Sequence, residues 1–413
     1  MRLACSCLWL SLLVACTQPK PQTADRQNDP AQREKPYVVM VSLDGFRYDY
    51  AEQYQAENLL RLAREGMSAE KMWPSYPSKT FPNHYTLVTG LYPAHHGIVD
   101  NTFYDPARGE TYQIRDRDKV EDGAWYGGTP LWVLAEQQGM LAASYFWVGS
   151  EADVQGVYPS YYYRYDGDVS HQARVDQVIA WLKLPPETRP HLITCYFSVV
   201  DSRGHREGPA SDEVRQAVQE VDRRIGQLDS AFQTMGLPIT MIVVSDHGML
   251  RINTEDPIIL SRLVNLDGFE VAGGSGQKLL YSDDTALVHR TYQALQEKST
   301  RHPIAVYRPE ELPAHLHYRD NARIGDLVVM SKPPYVFGTW GITPSPGTHG
   351  FDWQEVPEMG AIFYAKGPTL PAGRKLPPFE NVHVYPLVAH LLGLTPPEDI
   401  DGDSTLISVI SEQ

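Results

Sequence analysis

Cysteine is scarce in this chain of 413 residues, and the four that occur are poorly placed to pair with one another. Cys5, Cys7 and Cys16 lie near the N-terminus, and Cys195 stands alone inside the apolar run 192–200. No intramolecular disulfide is therefore expected in the folded domain, and a structural metal site built from thiolates is excluded. We expect Cys195 to be a buried, unreactive thiol.

Basic residues are also few compared with acidic ones. Lys and Arg number 36 against 51 Asp and Glu, which gives a formal net charge of −15 at pH 7. Such a chain is not expected to bind nucleic acid or an anionic membrane through a basic surface. If the ligand is itself anionic, local cations must attract it against the field of the whole protein.

The apolar run at the N-terminus, residues 8–15, is too short to span a bilayer. It ends in LVAC, which resembles a bacterial lipobox with Cys16 as the lipidated residue; an ordinary secretory signal cleaved nearby is the alternative. We expect residues 1–15 to be a lipoprotein signal peptide and residues 16–35 to be a flexible tether. By the same resemblance, Thr17 favours an anchor in the outer membrane of a Gram-negative cell, facing the periplasm.

Three apolar runs predict buried strands of a parallel sheet, and they cover residues 37–43, 191–200 and 239–245. An aspartate directly follows each run: Asp44, Asp201 and Asp246. Open α/β sheets bind their ligands at the carboxyl ends of the strands. The three carboxylates are therefore expected to lie together at one edge of the sheet.

Apolar residues at helical spacing predict helices between and after these strands. The predicted helices cover residues 56–65, 130–139, 175–182, 211–235 and 382–392. The pattern loosens over residues 251–345, which we interpret as a small α+β lobe inserted into a core made of residues 36–250 and 346–408. The chain is thus predicted to be an α/β protein with a central, mostly parallel sheet flanked by helices, and it shows no internal repeat.

The segment PSKTFPNH, residues 77–84, indicates a turn that leads into a helix. Thr80 suits the N-cap position, Pro82 falls in the first turn, and Gly90 is a plausible C-terminal stop. A threonine at such a position is usually only a cap. The Asp and His residues elsewhere in the chain indicate a second use for its hydroxyl, as a nucleophile.

Three histidines complete the candidate site. His205 follows Asp201 by four residues, His247 follows Asp246 directly, and His349 stands in the run GTHG. Asp and His suit Zn²⁺, and this set could supply two ions with about three ligands each, leaving room for a substrate. Two such ions can clamp a phosphoryl group and activate the threonine hydroxyl. Taken alone each pair is weak evidence, since Asp-His-Gly is most often a turn.

In order and spacing, these motifs resemble those of the nucleotide pyrophosphatase/phosphodiesterases of the alkaline phosphatase superfamily. The chain would be a bacterial lipoprotein member of that family. The resemblance runs from about residue 38 to residue 394. It is carried by SLDG from Ser42, PSKTFPNH from Pro77, DN from Asp100, DSRGH from Asp201, SDHGM from Ser245 and THG from Thr348. It implies an alkaline-phosphatase-like sandwich.

The resemblance also implies roles for individual residues. One zinc would be bound by Asp44, Thr80, Asp246 and His247, and a second zinc by Asp201, His205 and His349. Thr80 would displace an alcohol or phosphate leaving group and form a phosphothreonine ester, which water then hydrolyses. Asn101, otherwise a turn residue, would donate a hydrogen bond to the phosphoryl oxygen.

The implied substrate is a nucleotide or nucleotide derivative, cleaved at a phosphodiester or pyrophosphate bond to release a nucleoside 5′-monophosphate. Phe81 and Tyr196 match the positions that hold the base by stacking, with a plain core role for Phe81 as the alternative. Family members that cleave choline phosphodiesters or lysophospholipids share the same metal ligands. The tyrosine-rich segment 161–165 suits a cation as well as a ribose.

Two other functions stay open. A phosphomonoesterase of the same superfamily would grip a third phosphate oxygen, often with an arginine; none is evident near Thr80, although Arg47 and Arg203 are candidates. A non-enzymatic zinc-binding surface lipoprotein would have no use for the threonine. A sulfatase is excluded, because the Cys-x-Pro-x-Arg type of motif is missing.

Overall fold

The computed structural model describes residues 22–23 and 25–411, and within these residues the centre is a nine-stranded sheet. In spatial order its strands are Gln22–Thr23, Tyr161–Tyr163, Ala142–Tyr145, Leu192–Phe197, Tyr37–Leu43, Ile239–Val244, Phe363–Lys366, Met67–Ala69 and Arg374–Leu376. The second to the sixth strands in this order run parallel to one another. The predicted fold class is therefore confirmed. Cys16 and the predicted lipobox lie outside the described residues.

The strand Tyr37–Leu43 lies in the middle of this parallel block, between Leu192–Phe197 and Ile239–Val244. All residues of these three strands are buried, because helices cover both faces of the sheet. Successive side chains enter opposite cores, so that Met40 packs on one face and Val41 on the other. The three apolar runs recognised in the sequence thus contain the strands that precede the aspartates.

Two strands end earlier than predicted. The run 239–245 is a strand only over Ile239–Val244, so that Ser245 separates it from Asp246. The run 191–200 is a strand only over Leu192–Phe197, and Asp201 lies in the first turn of a helix, Val199–Glu207. The prediction that this aspartate directly follows a strand is therefore wrong. The helix nevertheless brings Asp201 and His205 onto one face, because they are four residues apart.

Long and short α-helices surround the sheet. Their bounds are Tyr50–Gln53, Glu57–Glu65, Thr80–Thr89, Pro93–His96, Arg117–Val120, Leu131–Gln137, His171–Leu182, Val199–Glu207, Asp212–Met235, Leu260–Leu263, Thr285–Ser299, Val384–Leu392 and Thr405–Ser411. The longest is capped by the Ser211 side chain, which accepts a hydrogen bond from the Val214 N–H. Among the described residues, none of these helices combines the length and the apolar character that a membrane crossing needs.

The helix Thr80–Thr89 begins one residue earlier than a cap at Thr80 predicts. Its N-cap is Lys79, in an extended conformation, and Thr80 is the first helical residue. The expectation that Thr80 is the N-cap is therefore wrong, and no side chain makes the capping hydrogen bond. Pro82 lies in the first turn and Gly90 ends the helix at φ 68°, both as predicted.

A second, antiparallel sheet lies within residues 251–345. Its strands, in spatial order, are Glu270–Ala272, Gln277–Tyr281, Leu327–Ser331 and Ile304–Tyr307. Leu280 and Val329 pack with the helix Thr285–Ser299 in a small core of their own, whereas Leu279 and Val328 join the main core. The lobe therefore rests on the central domain through one face of its sheet.

Three two-stranded pairs complete the described strands: Leu250–Arg251 with Gly347–Thr348, Met72–Trp73 with Phe379–Glu380, and Thr102–Asp105 with Glu110–Gln113.

Candidate active site

The carboxyl ends of the parallel strands bring the predicted site residues together. His247 Nε2 lies 3.0 Å from Asp246 Oδ2, 3.6 Å from Asp44 Oδ1 and 3.4 Å from Thr80 Oγ1. These four residues come from two neighbouring strands and from the start of the helix Thr80–Thr89. They form the group that sequence analysis expected around one metal ion.

The remaining three predicted ligands form a second group. Asp201 Oδ1 lies 3.4 Å from His205 Nε2 and 3.6 Å from His349 Nε2. The two groups touch, because the rings of His247 and His349 stack with centroids 3.5 Å apart. The His247 ring also lies within ligand distance of Asp201 and His349, so it stands between the groups.

The three histidines share one hydrogen-bonding pattern. Each directs its Nδ1 at a backbone carbonyl: His205 at Gly347 (2.8 Å), His247 at Gly248 (2.9 Å) and His349 at Ser78 (2.7 Å). A neutral imidazole that donates from Nδ1 presents a lone pair at Nε2. The Nε2 atoms of His205 and His349 lie only 3.1 Å apart, so two lone pairs face each other. A cation between them would remove this repulsion.

The carboxylates point to the same ligand. Three buried oxygens have no hydrogen-bond partner: Asp44 Oδ1, Asp201 Oδ1 and Asp246 Oδ2. An unpaired buried carboxylate is costly. The pKa of Asp44 lies well above its usual value because the carboxylate is buried beside Asp246 and Asp201. The pKa of His349 is lowered, because the ring is buried and has basic neighbours in His247, Lys79 and His205. Carboxylate oxygens and neutral imidazoles held by outer hydrogen bonds fit divalent metal ions of the zinc type.

His84 was not assigned a role from sequence, although it closes the segment 77–84. Its Nδ1 lies 2.9 Å from the Thr80 carbonyl and 3.3 Å from Asp246 Oδ2, and its Nε2 lies 2.7 Å from Ser42 Oγ. Asp44, His84 and Asp246 are close enough to share an ion, but both ring nitrogens of His84 already have protein partners. We therefore interpret it as a positioning residue for Asp246 and for the start of the helix.

Two glycines of the sequence motifs are required by close packing at the site. Gly45 has φ +67°, its N–H donates to Asp246 Oδ1, and a Cβ would lie 2.8 Å from the Cα of Asp201. Gly350 has φ +110°, and a Cβ there would collide with the side chain of Lys79. Both conformations disfavour any other residue.

A cavity of about 300 Å³ opens beside the ligand groups. Thr80, Asp44 and Asp201 line it on the side of the cluster, and the partly buried ring of Phe81 lines it further out. The hydroxyl that was predicted to be the nucleophile therefore faces both the carboxylates and an open space. A phosphoryl group in this cavity would lie next to the ligands.

Two tyrosines line the cavity in different ways. Tyr196 is only 8% exposed, and its hydroxyl donates to Asp44 Oδ2 at 2.5 Å. Tyr165, in contrast, is 43% exposed. Of the tyrosine-rich segment, Tyr161–Tyr163 forms a strand of the central sheet, and Tyr165 reaches the cavity. The structure thus offers Tyr165 as a stacking surface that sequence analysis did not single out, while Tyr196 has little ring area left to offer.

Two arginines also line this cavity, contrary to the expectation that no arginine lies near the nucleophile. Arg115 is exposed, and Arg117 forms an ion pair with Glu151. Arg47, which was considered from sequence, instead binds both carboxylate oxygens of Asp49. Arg115 thus supplies a local cation at the cavity, whereas the charge of Arg117 is balanced by Glu151, which lines the same cavity.

Asn101 lies next to the first turn of the nucleophile helix. Its Oδ1 accepts a hydrogen bond from the Phe81 N–H at 3.0 Å, which fixes the orientation of the amide. Its Nδ2 group has no hydrogen-bond partner among the described residues and remains free to donate. This is the group that the predicted role of Asn101 requires.

A buried polar network holds the Asn101 loop from the side of the lobe. Asp100 accepts the Asn101 N–H at 2.7 Å and, through its other oxygen, the Gln277 side chain at 2.8 Å. Gln277 belongs to a strand of the lobe sheet, and its Oε1 accepts from the Tyr76 hydroxyl at 2.7 Å. The lobe therefore contributes directly to the support of the site.

The sequence matches the family model described as "Type I phosphodiesterase / nucleotide pyrophosphatase" over residues 38–352. Ectonucleotide pyrophosphatase/phosphodiesterase family member 1 of Mus musculus is 36% identical over 391 residues, which are 91% of this chain and 43% of that protein. Venom phosphodiesterase CdcPDE of Crotalus durissus collilineatus is 35% identical over 89% of this chain and 45% of its own. The chain thus spans less than half the length of these curated relatives.

Solved structures agree with this result. Murine ectonucleotide pyrophosphatase/phosphodiesterase 5 superposes with a TM-score of 0.84 at 27% identity, over 91% of this chain and 99% of that one. A structure of the same mouse protein as an inactive threonine-to-alanine variant in complex with AMP also gives a TM-score of 0.84, at 26% identity. Together with the matched family model, these similarities show that the chain belongs to the type I phosphodiesterase/nucleotide pyrophosphatase family of the alkaline phosphatase superfamily.

Proposed function

We propose that this chain hydrolyses phosphodiester and pyrophosphate bonds in nucleotides and nucleotide derivatives and releases nucleoside 5′-monophosphates. The observation that carries the proposal is the position of Thr80, whose hydroxyl lies 3.4 Å from His247 and lines a cavity with aromatic walls. Membership of the family supports hydrolysis of phosphodiesters. The AMP bound to the murine variant supports a nucleotide substrate.

The donor set supports two zinc ions as cofactors. In this proposal one ion is held by Asp44, Thr80, Asp246 and His247, and the other by Asp201, His205 and His349. When bound, the ions neutralise charge on the phosphoryl oxygens and lower the pKa of the attacking hydroxyl. The unpartnered carboxylate oxygens and the facing Nε2 lone pairs are the support for this assignment.

The chain's own residues carry the covalent steps. Thr80 Oγ1 forms a bond to phosphorus while the bond to the leaving oxygen breaks, which gives a phosphothreonine ester. Water then attacks this ester, releases the nucleoside 5′-monophosphate and restores the threonine hydroxyl. The free Nδ2 of Asn101 donates to a phosphoryl oxygen during both steps, and the N-terminus of the helix Thr80–Thr89 favours the negative charge there.

We propose that Phe81 and Tyr165 hold the base, and we expect Tyr165→Ala to raise KM for a nucleotide diester. Base–aromatic stacking contributes about 1–3 kcal/mol per base, so the expected loss in kcat/KM is roughly 5- to 150-fold. Hydrolysis of methyl p-nitrophenyl phosphate, which has no base, should change little. Tyr162→Ala is the matched control, because Tyr162 stacks on Tyr158 outside the cavity. Equal losses on both substrates would contradict a role in base binding.

The proposed function is tested by comparing three substrates with the metal-loaded protein. We expect kcat/KM for the p-nitrophenyl ester of thymidine 5′-monophosphate to exceed that for p-nitrophenyl phosphate by a factor on the order of 10², because only the diester carries a nucleoside to stack. A preference for the monoester would instead favour a phosphomonoesterase in which Arg115 and Arg117 grip the dianion. A preference for p-nitrophenylphosphorylcholine would favour the choline diesterase alternative, in which the aromatic walls bind a cation.

A further inference from the structure

A second cavity, of about 270 Å³, touches the ligand cluster at a different point. It is lined by His205, whereas the cavity beside Thr80 is lined by Asp201, and the two cavities share no lining residue. Asp201 and His205 lie one helical turn apart, with Oδ1 and Nε2 separated by 3.4 Å. Both cavities therefore open onto the same carboxylate–imidazole pair.

The larger part of the wall surface of this second cavity is apolar, and the walls carry almost no charge. Its lining includes Ile252 and Phe337, which are 8% and 4% exposed, together with Ile342 and Pro344 from a loop. The hydroxyl side chains that also line it belong to Ser275, Thr339, Ser345 and Thr348. Among its eleven lining residues, all within the described chain, His205 alone can ionise. A site of this composition suits an apolar, uncharged group.

The loop beside the cavity presents large apolar side chains to solvent. Trp340 is 70% exposed and Ile342 is 63% exposed. The described residues contain two other exposed large apolar side chains, Val271 and Tyr165, and Tyr165 belongs to the cavity beside Thr80. Clusters of exposed apolar groups usually mark contact sites for ligands or partners.

The base of this loop is held in place. The Phe337 N–H donates to the Ser275 carbonyl at 2.8 Å, and the Ile252 N–H donates to the Pro346 carbonyl at 3.0 Å. Only the tip between these anchors is exposed. The apolar side chains are thus presented from a fixed base, next to the cluster that would hold the reacting phosphoryl group.

We propose that this cavity binds the leaving group and that, among the diester and pyrophosphate substrates of the proposed function, it favours those whose leaving group is apolar and uncharged. The inference rests on the proposed function, in which Thr80 attacks in line and the leaving oxygen departs on the far side of phosphorus. The nucleoside occupies the cavity that Thr80 lines, so the space beside His205 is left for the departing alcohol. A pyrophosphate leaving group would find no lysine or arginine among the lining residues.

The test uses the ethyl, butyl and hexyl esters of adenosine 5′-monophosphate, with release of AMP followed by chromatography. Their leaving alcohols differ little in basicity, so differences in rate report contacts with the chain. A fully buried methylene contributes up to about fourfold in kcat/KM, and we expect the hexyl ester to exceed the ethyl ester by roughly tenfold or more. A ratio near one in the wild-type protein would overturn the inference.

Variants of the loop locate the contact. Ile342→Ser should reduce the hexyl-to-ethyl ratio by about fourfold or more, whereas Ile342→Leu should preserve it. Val271→Ser is the matched control, because Val271 is an exposed apolar residue of the lobe that lines neither cavity. An unchanged ratio in Ile342→Ser would overturn the inference. If the metal-loaded protein hydrolyses the p-nitrophenyl ester of thymidine 5′-monophosphate but none of the three alkyl esters, the inference is overturned and the proposed function stands. Failure on all four substrates would overturn the proposed function, and the inference with it.

Discussion

Replacing Thr80 with alanine is expected to abolish turnover of nucleotide diesters, by a factor on the order of 10⁴ or more, because Thr80 is the nucleophile of the proposed reaction. The fold should be unaffected. Thr80 is the first residue of its helix, its side chain makes no capping hydrogen bond, and alanine is a good helix former. We therefore expect the change in unfolding free energy to stay within about 0.5 kcal/mol.

Two controls separate chemistry from structure in this experiment. Thr80→Ser keeps a hydroxyl at the same place and should retain measurable turnover. Thr234→Ala removes a hydroxyl from an exposed position of the long helix Asp212–Met235 and should change nothing. The nucleoside 5′-monophosphate should be recovered esterified to Thr80 of the wild-type protein when the reaction with a nucleotide diester is quenched in acid. Near-wild-type turnover by Thr80→Ala would exclude covalent catalysis.

The His349→Ala variant is expected to bind one metal ion fewer per chain than the wild type and to lose most of its turnover. His349 Nε2 lies 3.6 Å from Asp201 Oδ1 and 3.1 Å from His205 Nε2, so its removal leaves two protein ligands in that group. Two ligands hold zinc far less tightly than three. Elemental analysis of the purified protein, combined with steady-state rates, measures both effects.

The metal stoichiometry also distinguishes a ligand from a nucleophile. His289→Ala removes an exposed histidine of the lobe helix Thr285–Ser299 and should leave the metal content unchanged. Thr80→Ala should keep its metal, because Asp44, Asp246 and His247 remain in that group. An unchanged metal content in His349→Ala would contradict the assignment of the second group of ligands.

The elements that sequence alone predicted well are those in which a local pattern decides the structure. The run Tyr37–Leu43 is a strand with the predicted bounds, because seven consecutive apolar or small residues suit a strand buried on both faces. The end of this strand is enough to predict that Asp44 lies at the ligand-binding edge of the sheet. The run that ends at Val200 shows the limit. Its last two residues, Val199 and Val200, are apolar because they pack as the first turn of a helix, which hydrophobicity cannot distinguish from a strand.

The residues that sequence analysis missed act through contacts that are distant along the chain. Arg115 and Arg117 reach the cavity from a segment 35 or more positions after Thr80, and Tyr165 reaches it from beyond the edge of the parallel block. The segment 161–165 could be recognised as unusual, yet which of its tyrosines is exposed depends on where the strand Tyr161–Tyr163 ends. His84 could have been found, because it lies four residues after Thr80 on the same helix face.

The link between Gln277 and Asp100 has a consequence for the independence of the two parts of the molecule. If the segment 251–345 only selected substrates, it could be exchanged between relatives. The exchange would then alter substrate specificity and leave the rate of the chemical step unchanged. Here the sheet within residues 251–345 holds the loop of Asn101, so a chimaera with a foreign segment would also disturb the residue that we propose to donate to the phosphoryl oxygen. Exchange of the outer face of this segment, opposite the face that carries Gln277, is expected to leave the loop of Asn101 in place.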